Sequence, residues 1–379
     1  MSAEDTAPEP DRHEGAPHPR DTVRLFGQEA AEAAFLDAFN SGRLHHAWLV
    51  TGPRGVGKAT LAWRLARFLL ATPPQQDDGL FGAPEQPTSL DIDPEHPVAR
   101  RMRALSEPGL FLLRRPWDDR TKRLKKEITV DEARRLKGFF AMSAADGGRR
   151  VVIVDSADEL NPSAANAVLK LLEEPPARTT LILVSHQPSG LLPTIRSRCR
   201  ILRCRPLAPQ DLLTALAATG TDLPEQTDAL VALADGSVGE ALALAGGEGL
   251  TVYSALIRLF ATAPRIDRAA AISFAEAAAG RMGDGTAEQA ARMIDLFLTR
   301  LARTGVLGPA TPEAVPGEAA LMARLCPDPG SARQWAAHSQ AIGDRVRHGL
   351  GVNLDPAALL LDTVLKINAC AGELLPAPA

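Results

Sequence analysis

The chain has 379 residues, 45% of them apolar, and a formal charge of -4, which is enough apolar side chain to bury a core in each of two or three domains. That charge balance argues against a protein that coats nucleic acid unaided, because sequence-independent DNA affinity comes mainly from Lys and Arg neutralising phosphates. No run approaches the roughly 20 apolar residues of a membrane span, nothing at the start resembles a signal peptide, and Cys199, Cys204, Cys326 and Cys370 show no C-x-x-C spacing, so a reducing cytoplasm and no membrane partner are expected.

Residues 1–22 mix Pro, Asp, Glu and Arg with scarcely a large apolar side chain. Such a segment buries too little surface to offset its ordering, so a disordered tail is expected. Over 23–206 an α/β domain is expected. Leu44 to Thr51 reads as a short strand, and Thr60 to Ala71 has helical periodicity. Residues 72–100, rich in Pro, Gly, Gln and Asp, read as an inserted surface loop. Arg114 to Lys126 is basic around Trp117; most such runs are solvated loops, although basic residues around an aromatic also suit single-stranded DNA. Thr129 to Phe140 reads as an amphipathic helix with Thr129 as N-cap and Glu132 as its capping-box partner. Arg149 to Val154 and Leu181 to Val184 read as buried parallel strands, with a helix from Ala164 to Glu174 between them that Pro175-Pro176 ends. Alternating strands and helices predict an open parallel sheet covered on both faces. After Pro206 the chain turns to Ala- and Leu-rich helical stretches, expected as a small module over 207–249 and a larger helical domain over 250–379.

The chemistry concentrates at Gly52-Pro53-Arg54-Gly55-Val56-Gly57-Lys58-Ala59. Gly52, Gly55, Gly57 and Lys58 form the pattern of a loop whose backbone N–H groups cradle a polyphosphate at a helix N-terminus. The next residue should carry the hydroxyl that ligates Mg²⁺, and Ala59 has none. Thr60 is one helical step, about 100°, further round and is a poor substitute. The strand Val151 to Val154 ends in Asp155, placed to hold Mg²⁺ in a working ATPase, but Ser156 stands where a second acid is usual; Asp158 and Glu159 come later, and a plain role in leading into the next helix carries equal weight.

The sequence resembles the clamp-loader branch of the AAA+ ATPases. The residues that carry the resemblance are His46-Ala47, Gly52 to Lys58, Asn166, Leu169 to Pro176 and Ser197-Arg198-Cys199, spanning about residues 23–206. It implies an AAA+ parallel-sheet nucleotide-binding domain, a helical lid and a helical collar that assembles a hetero-oligomeric ring with the motor and delta subunits. It implies work on a sliding clamp and primed DNA through that complex. It also implies that Arg198 is an arginine finger acting in trans; a guanidinium is always charged, planar and able to hold two γ-phosphate oxygens. Against the ATPase members, the chain lacks the Mg²⁺ hydroxyl, the acid beside Asp155 and the lid arginine, replaced by Gly239. ATP or ADP binding stays open, Mg²⁺ is not favoured, and hydrolysis by this chain is not expected. Relatives carry a four-cysteine zinc module between the first helix and the next strand; here residues 72–127 contain no cysteine and one histidine, His96, so no zinc is expected. The rival readings are an autonomous P-loop ATPase, the motor subunit of the same loader and a plain DNA-binding protein.

Overall fold

The computed structural model describes residues 9–13, 15–72, 86–141, 148–280 and 285–374. The chain divides into two compact units, Met1–Thr221 with Gly236–Leu242, and Asp222–Asp235 with Ala243–Ala379.

In the first unit α1 (Glu29–Asn40) precedes β1 (Ala47–Thr51), and every residue of β1 is buried. The loop after β1 opens α2 (Lys58–Ala71), and α3 (Pro97–Arg103) follows the inserted stretch. Then come β2 (Leu110–Arg114), the short β3 (Trp117–Asp118) and β4 (Arg123–Leu124), α4 (Val130–Ala141), β5 (Arg150–Asp155), α5 (Pro162–Glu173), β6 (Thr179–Ser185), the single turn α6 (Pro193–Arg196), β7 (Arg200–Arg203) and α7 (Pro209–Thr219). The five long strands form one parallel sheet in the order β2-β5-β6-β1-β7. Continuous apolar runs such as Val151 to Val154 are what a strand buried on both faces requires. One packed layer joins Leu49, Val152, Val154 and Leu183 to Leu136 and Phe139 of α4 and Val168 and Leu172 of α5. The result is the open parallel α/β sheet that the alternating strands and helices lead one to expect.

Three elements were not legible. β2 and β7 are edge strands, and Arg200-Ile201-Leu202-Arg203 buries only Leu202, too little for a periodic signal. Residues 114–126 are not a plain loop: β3 and β4 pair antiparallel, Trp117 opposite Leu124 and Asp118 opposite Arg123. Of the inserted stretch, residues 73–85 lie outside the described residues. Its later part is fastened down by Asn40 donating to the Pro87 carbonyl at 3.0 Å and by Asp91 pairing with Arg64 at 3.0 Å, and His96 caps α3 by accepting from the Val98 N–H.

Residues 1–8 lie outside the described residues, but residues 9–13 and 15–22, within the stretch expected as a tail, carry a network of ion pairs. Arg20 bonds Glu9, Arg114 bonds both Glu9 and Asp11, and buried His18 sits 3.2 Å from Asp11 and edge-on to Trp63. Arg67 donates to the Arg20 carbonyl at 2.6 Å. Composition misses this because Arg114, Trp63 and Arg67, which fasten the segment to the rest of the fold, come from far along the chain.

The second unit is helical among its described residues. It comprises α8 (Thr227–Ala234), the later part of α9 (Val238–Ala245), α10 (Gly249–Phe260), α11 (Arg268–Ala279), α12 (Thr286–Leu307), α13 (Glu318–Leu325), α14 (Pro329–Gly351) and α15 (Pro356–Leu374). At its centre the buried Glu318 carboxylate accepts from Tyr253 Oη at 2.6 Å, Arg300 Nε at 2.7 Å and the Ala314 N–H at 2.7 Å. Burial, the adjacent carboxylate and its hydrogen bond push the Tyr253 hydroxyl far above its ordinary range. No described helix is long and apolar enough to cross a membrane.

Candidate functional site

Parallel strands bring their C-terminal ends to one edge of the sheet, where ligands of open α/β folds bind. There β1 delivers the glycine loop and β5 delivers Asp155. Gly52, Gly55 and Gly57 all have positive φ, at 147°, 73° and 94°. A Cβ on Gly52 would stand 2.3 Å from the Cys204 carbonyl oxygen, and one on Gly55 would stand 2.2 Å from Ser237 Oγ. The loop therefore needs glycine for backbone conformation and for close approach together. Gly57 is the N-cap of α2, so the helix begins at Lys58 with its first N–H groups facing the loop.

Lys58 is buried, and its ammonium donates to the Pro53 carbonyl. Burial pulls its pKa down to about 8, against the opposing fields of Cys204, Asp155 and Asp158. A buried cation that donates to a neutral carbonyl is suited to receive an anion, so the loop amides and Lys58 fit a phosphate group. Asp155 is pushed up to about 7 by burial, with Asp11 and Glu159 adding like charge. Thr60 lies in the first turn of α2, two residues beyond Lys58, and Ala59 offers no ligand between them. The residues present fit a polyphosphate and lack the hydroxyl that completes a hydrolytic Mg²⁺ site.

Asp158 does not lead into the next helix. Its carboxylate accepts from Ser185 Oγ at 2.7 Å and from the N–H groups of His186 and Gln187 at 2.5 and 3.2 Å, tying down the end of β6 beside the loop. Asn161 caps α5 instead, accepting from the Ala164 N–H at 2.8 Å. Glu159 pairs with Arg115 at 2.8 Å. His186 is pulled down to about 4 by burial and by the positive fields of Lys58 and Arg54, so it is neutral at physiological pH.

Three features of this edge have no sequence signal. Buried Gln28 donates to the carbonyls of Val56 and Arg205 at 3.1 and 2.7 Å and accepts from the Arg205 N–H at 3.0 Å, bolting the glycine loop to the chain beyond β7. Ser237 Oγ donates to the Arg54 carbonyl at 3.0 Å, and the Gly239 N–H donates to the Gly55 carbonyl at 3.2 Å. The N-terminal segment also reaches the edge: a Cβ on Gly239 would meet Gly55 Cα and His13 Cδ2, each at 3.1 Å. Gly239 is thus packed closely on both sides.

The structure brings Gly52, Gly55, Gly57, Lys58 and Asp155 to one edge, with Thr60 in the adjoining turn, and places Arg198 elsewhere. Arg198 follows α6 and precedes β7, whose first residue, Arg200, lies beside Trp48 near the start of β1. It therefore belongs to the strand-start edge, separated from the glycine loop by the length of β7, roughly 10 Å at 3.3 Å per residue. Its guanidinium contacts Glu173 Oε1 at 3.0 Å and donates to the Thr194 carbonyl at 3.0 Å. Burial drives the neighbouring Cys199 thiol up to about 12, so it is no nucleophile at neutral pH.

Residues 27–208 match the family described as DNA polymerase III, delta subunit. The chain is 36% identical over 206 residues to a DNA polymerase III subunit delta' of Pseudomonas aeruginosa, covering 54% of each chain. It is 32% identical over 224 residues to subunit delta' of Escherichia coli, covering 59% of this chain and 61% of that one. The match therefore spans only about half to three-fifths of these relatives. A DNA polymerase III subunit gamma/tau of Mycobacterium tuberculosis is 31% identical over 206 residues, 52% of this chain and 31% of the relative. A crystal structure of a DNA polymerase III gamma subunit-related protein from Thermotoga maritima aligns with 89% of this chain and 99% of its own at 15% identity, with a TM-score of 0.39.

Proposed function

We propose, for a chain whose residues 27–208 match the family described as DNA polymerase III, delta subunit, that it is the delta-prime subunit of a clamp loader. In this reading it is a scaffold without a motor of its own. It assembles with motor and delta subunits and supplies Arg198 to the nucleotide site of a neighbour while a sliding clamp is placed on primed DNA. The helices over residues 250–379 are the collar that holds it in the ring, and residues 207–249 are the lid. Its own glycine loop retains ATP or ADP without turning it over.

The observation that carries the reading is the position of Arg198. A guanidinium at the strand-start edge is remote from the glycine loop at the strand-end edge, so it serves a phosphate only when that phosphate belongs to another subunit. Its side chain is 36% exposed, accessible to a neighbour, and its planar fork suits the γ-phosphate. Ala59, Ser156 and the enclosed Gly239 support the absence of hydrolysis in cis, which separates this reading from an autonomous ATPase and from the motor subunit.

The test is DNA-stimulated ATP turnover by a reconstituted loader containing this chain or its Arg198→Ala variant, with the isolated chain as blank. The expected result is a silent blank and a variant that assembles yet loses turnover, by roughly 10³-fold or more at the site it serves. Equal turnover from both loaders overturns the finger assignment, and turnover in the blank restores the autonomous ATPase.

A further inference from the structure

The hairpin of β3 and β4, and the cavity at its base, take no part in the site above. Arg120, Lys122, Arg123, Lys125 and Lys126 are all exposed on or beside it. Arg114 and Arg115, by contrast, are engaged by Glu9, Asp11 and Glu159. The N–H groups of Thr121 and Arg120 donate to the Asp118 carboxylate and hold it below the usual carboxylate range, with a smaller contribution from Lys125, so it stays an anion on the hairpin. Against these five cations stand three acids, Asp118, Asp119 and Glu127, so cations prevail on the hairpin. Lys122 sits in the turn at φ 51°, a left-handed conformation that residues with a Cβ seldom adopt. The turn places a lysine where glycine would be at ease.

Trp117 and Leu124, opposite each other on the hairpin, face an open cavity of about 550 Å³ that Phe111 and Arg135 also line. The arginines here are balanced: Arg135 pairs with Glu132 at 2.7 Å, and Arg114 and Arg115 are paired as above. An aromatic-walled, nearly neutral cavity beside a strip of exposed cations fits one chemistry, a flat uncharged base joined to a string of phosphates. An acidic peptide would use the cations and leave the aromatic walls without a role.

We propose that this hairpin and cavity bind a single strand of DNA, with an unstacked base against Trp117 and the backbone phosphates along Lys122, Arg123 and Lys125. The biological setting rests on the clamp-loader reading, since such a subunit works where a primed template is single-stranded. The binding itself does not.

The test is fluorescence anisotropy of labelled oligothymidylate with the full chain across a salt series, comparing wild type, K122E/R123E/K125E and Trp117→Ala. Wild type is expected to bind with a log-linear loss as salt rises. Removing three phosphate contacts is expected to flatten that slope by about 2 and to weaken binding at least tenfold at low salt. Trp117→Ala is expected to weaken binding about tenfold with the slope kept, because stacking releases no counterions. Thermal melting checks that each variant is folded. No binding by the wild type at low salt, an unchanged slope and affinity in the triple variant, or capture of an acidic peptide in place of the oligonucleotide overturns the proposal. Assembly with motor subunits is measured separately: a chain that binds oligothymidylate yet fails to assemble overturns the clamp-loader reading and leaves this one standing.

Discussion

Arg198 and Glu173 form an ion pair of 3.0 Å on the edge of the sheet away from the glycine loop. The carboxylate comes from the last residue of α5 and the guanidinium from the turn before β7, so the pair holds the guanidinium in place within its own subunit. With the side chains 36% and 43% exposed, solvent screens the attraction and its worth to the fold is at most about 1 kcal/mol.

Glu173→Gln is therefore expected to leave the melting temperature nearly unchanged. On the proposed reading, a loader with Glu173→Gln should keep assembly and turnover within about twofold of wild type, whereas one with Arg198→Ala should keep assembly and lose turnover. Thermal melting and steady-state ATPase measurements on the same preparations check both halves.

Asp155 gives a pH dependence with a definite sign. Its carboxyl lies near 3.8 ordinarily and is raised to about 7 in the fold by burial and the nearby acids. A raised acid favours folding while protonated, so its contribution is full below about pH 4 and is lost as pH rises towards 7. Asp155→Asn has no such titration. Its stability relative to wild type is expected to increase between pH 4 and pH 8, by up to a few kcal/mol, since each tenfold change in proton affinity on folding is worth about 1.4 kcal/mol. Denaturant titrations of both proteins at the two pH values check this, and a constant difference would refute it.

Gly52→Ala is expected to destabilise the first unit by roughly 1–3 kcal/mol. The added Cβ meets the Cys204 carbonyl, a backbone atom with little freedom to give, and alanine is strained at φ 147°. Gly138→Ala is the control, since nothing lies within 4 Å of a Cβ there. Chemical denaturation of the two variants should separate them clearly.

Glu318→Ala is expected to cost about 3–5 kcal/mol in the second unit, because removing one partner of a buried ion pair leaves the other charge uncompensated. Arg300 keeps its bond to the Ala232 carbonyl at 2.9 Å but loses its carboxylate partner, and the Tyr253 hydroxyl loses its carboxylate acceptor. Glu318→Gln retains an acceptor and is expected to recover part of the loss. Differential scanning calorimetry distinguishes the two.

The sequence by itself determined the alternating strand and helix plan, the buried strands of the sheet's centre, the glycine loop with Lys58 and the aspartate ending β5. These are local patterns: a strand buried on both faces must be apolar throughout, and a loop with three positive-φ positions must hold glycine. Tertiary structure decided what residues distant in the chain do to one another. Gln28 bonds Arg205 and Asp158 bonds Ser185, and neither residue differs locally from an ordinary surface polar group. The segment from Glu9 to Arg20 reads as an unstructured tail until Arg114 is brought to it by a strand about 100 residues away. Arg198 was legible as a motif, but which edge it occupies depends on β7 running parallel to β1, a pairing fixed by the sheet and not by any property of the six residues around it.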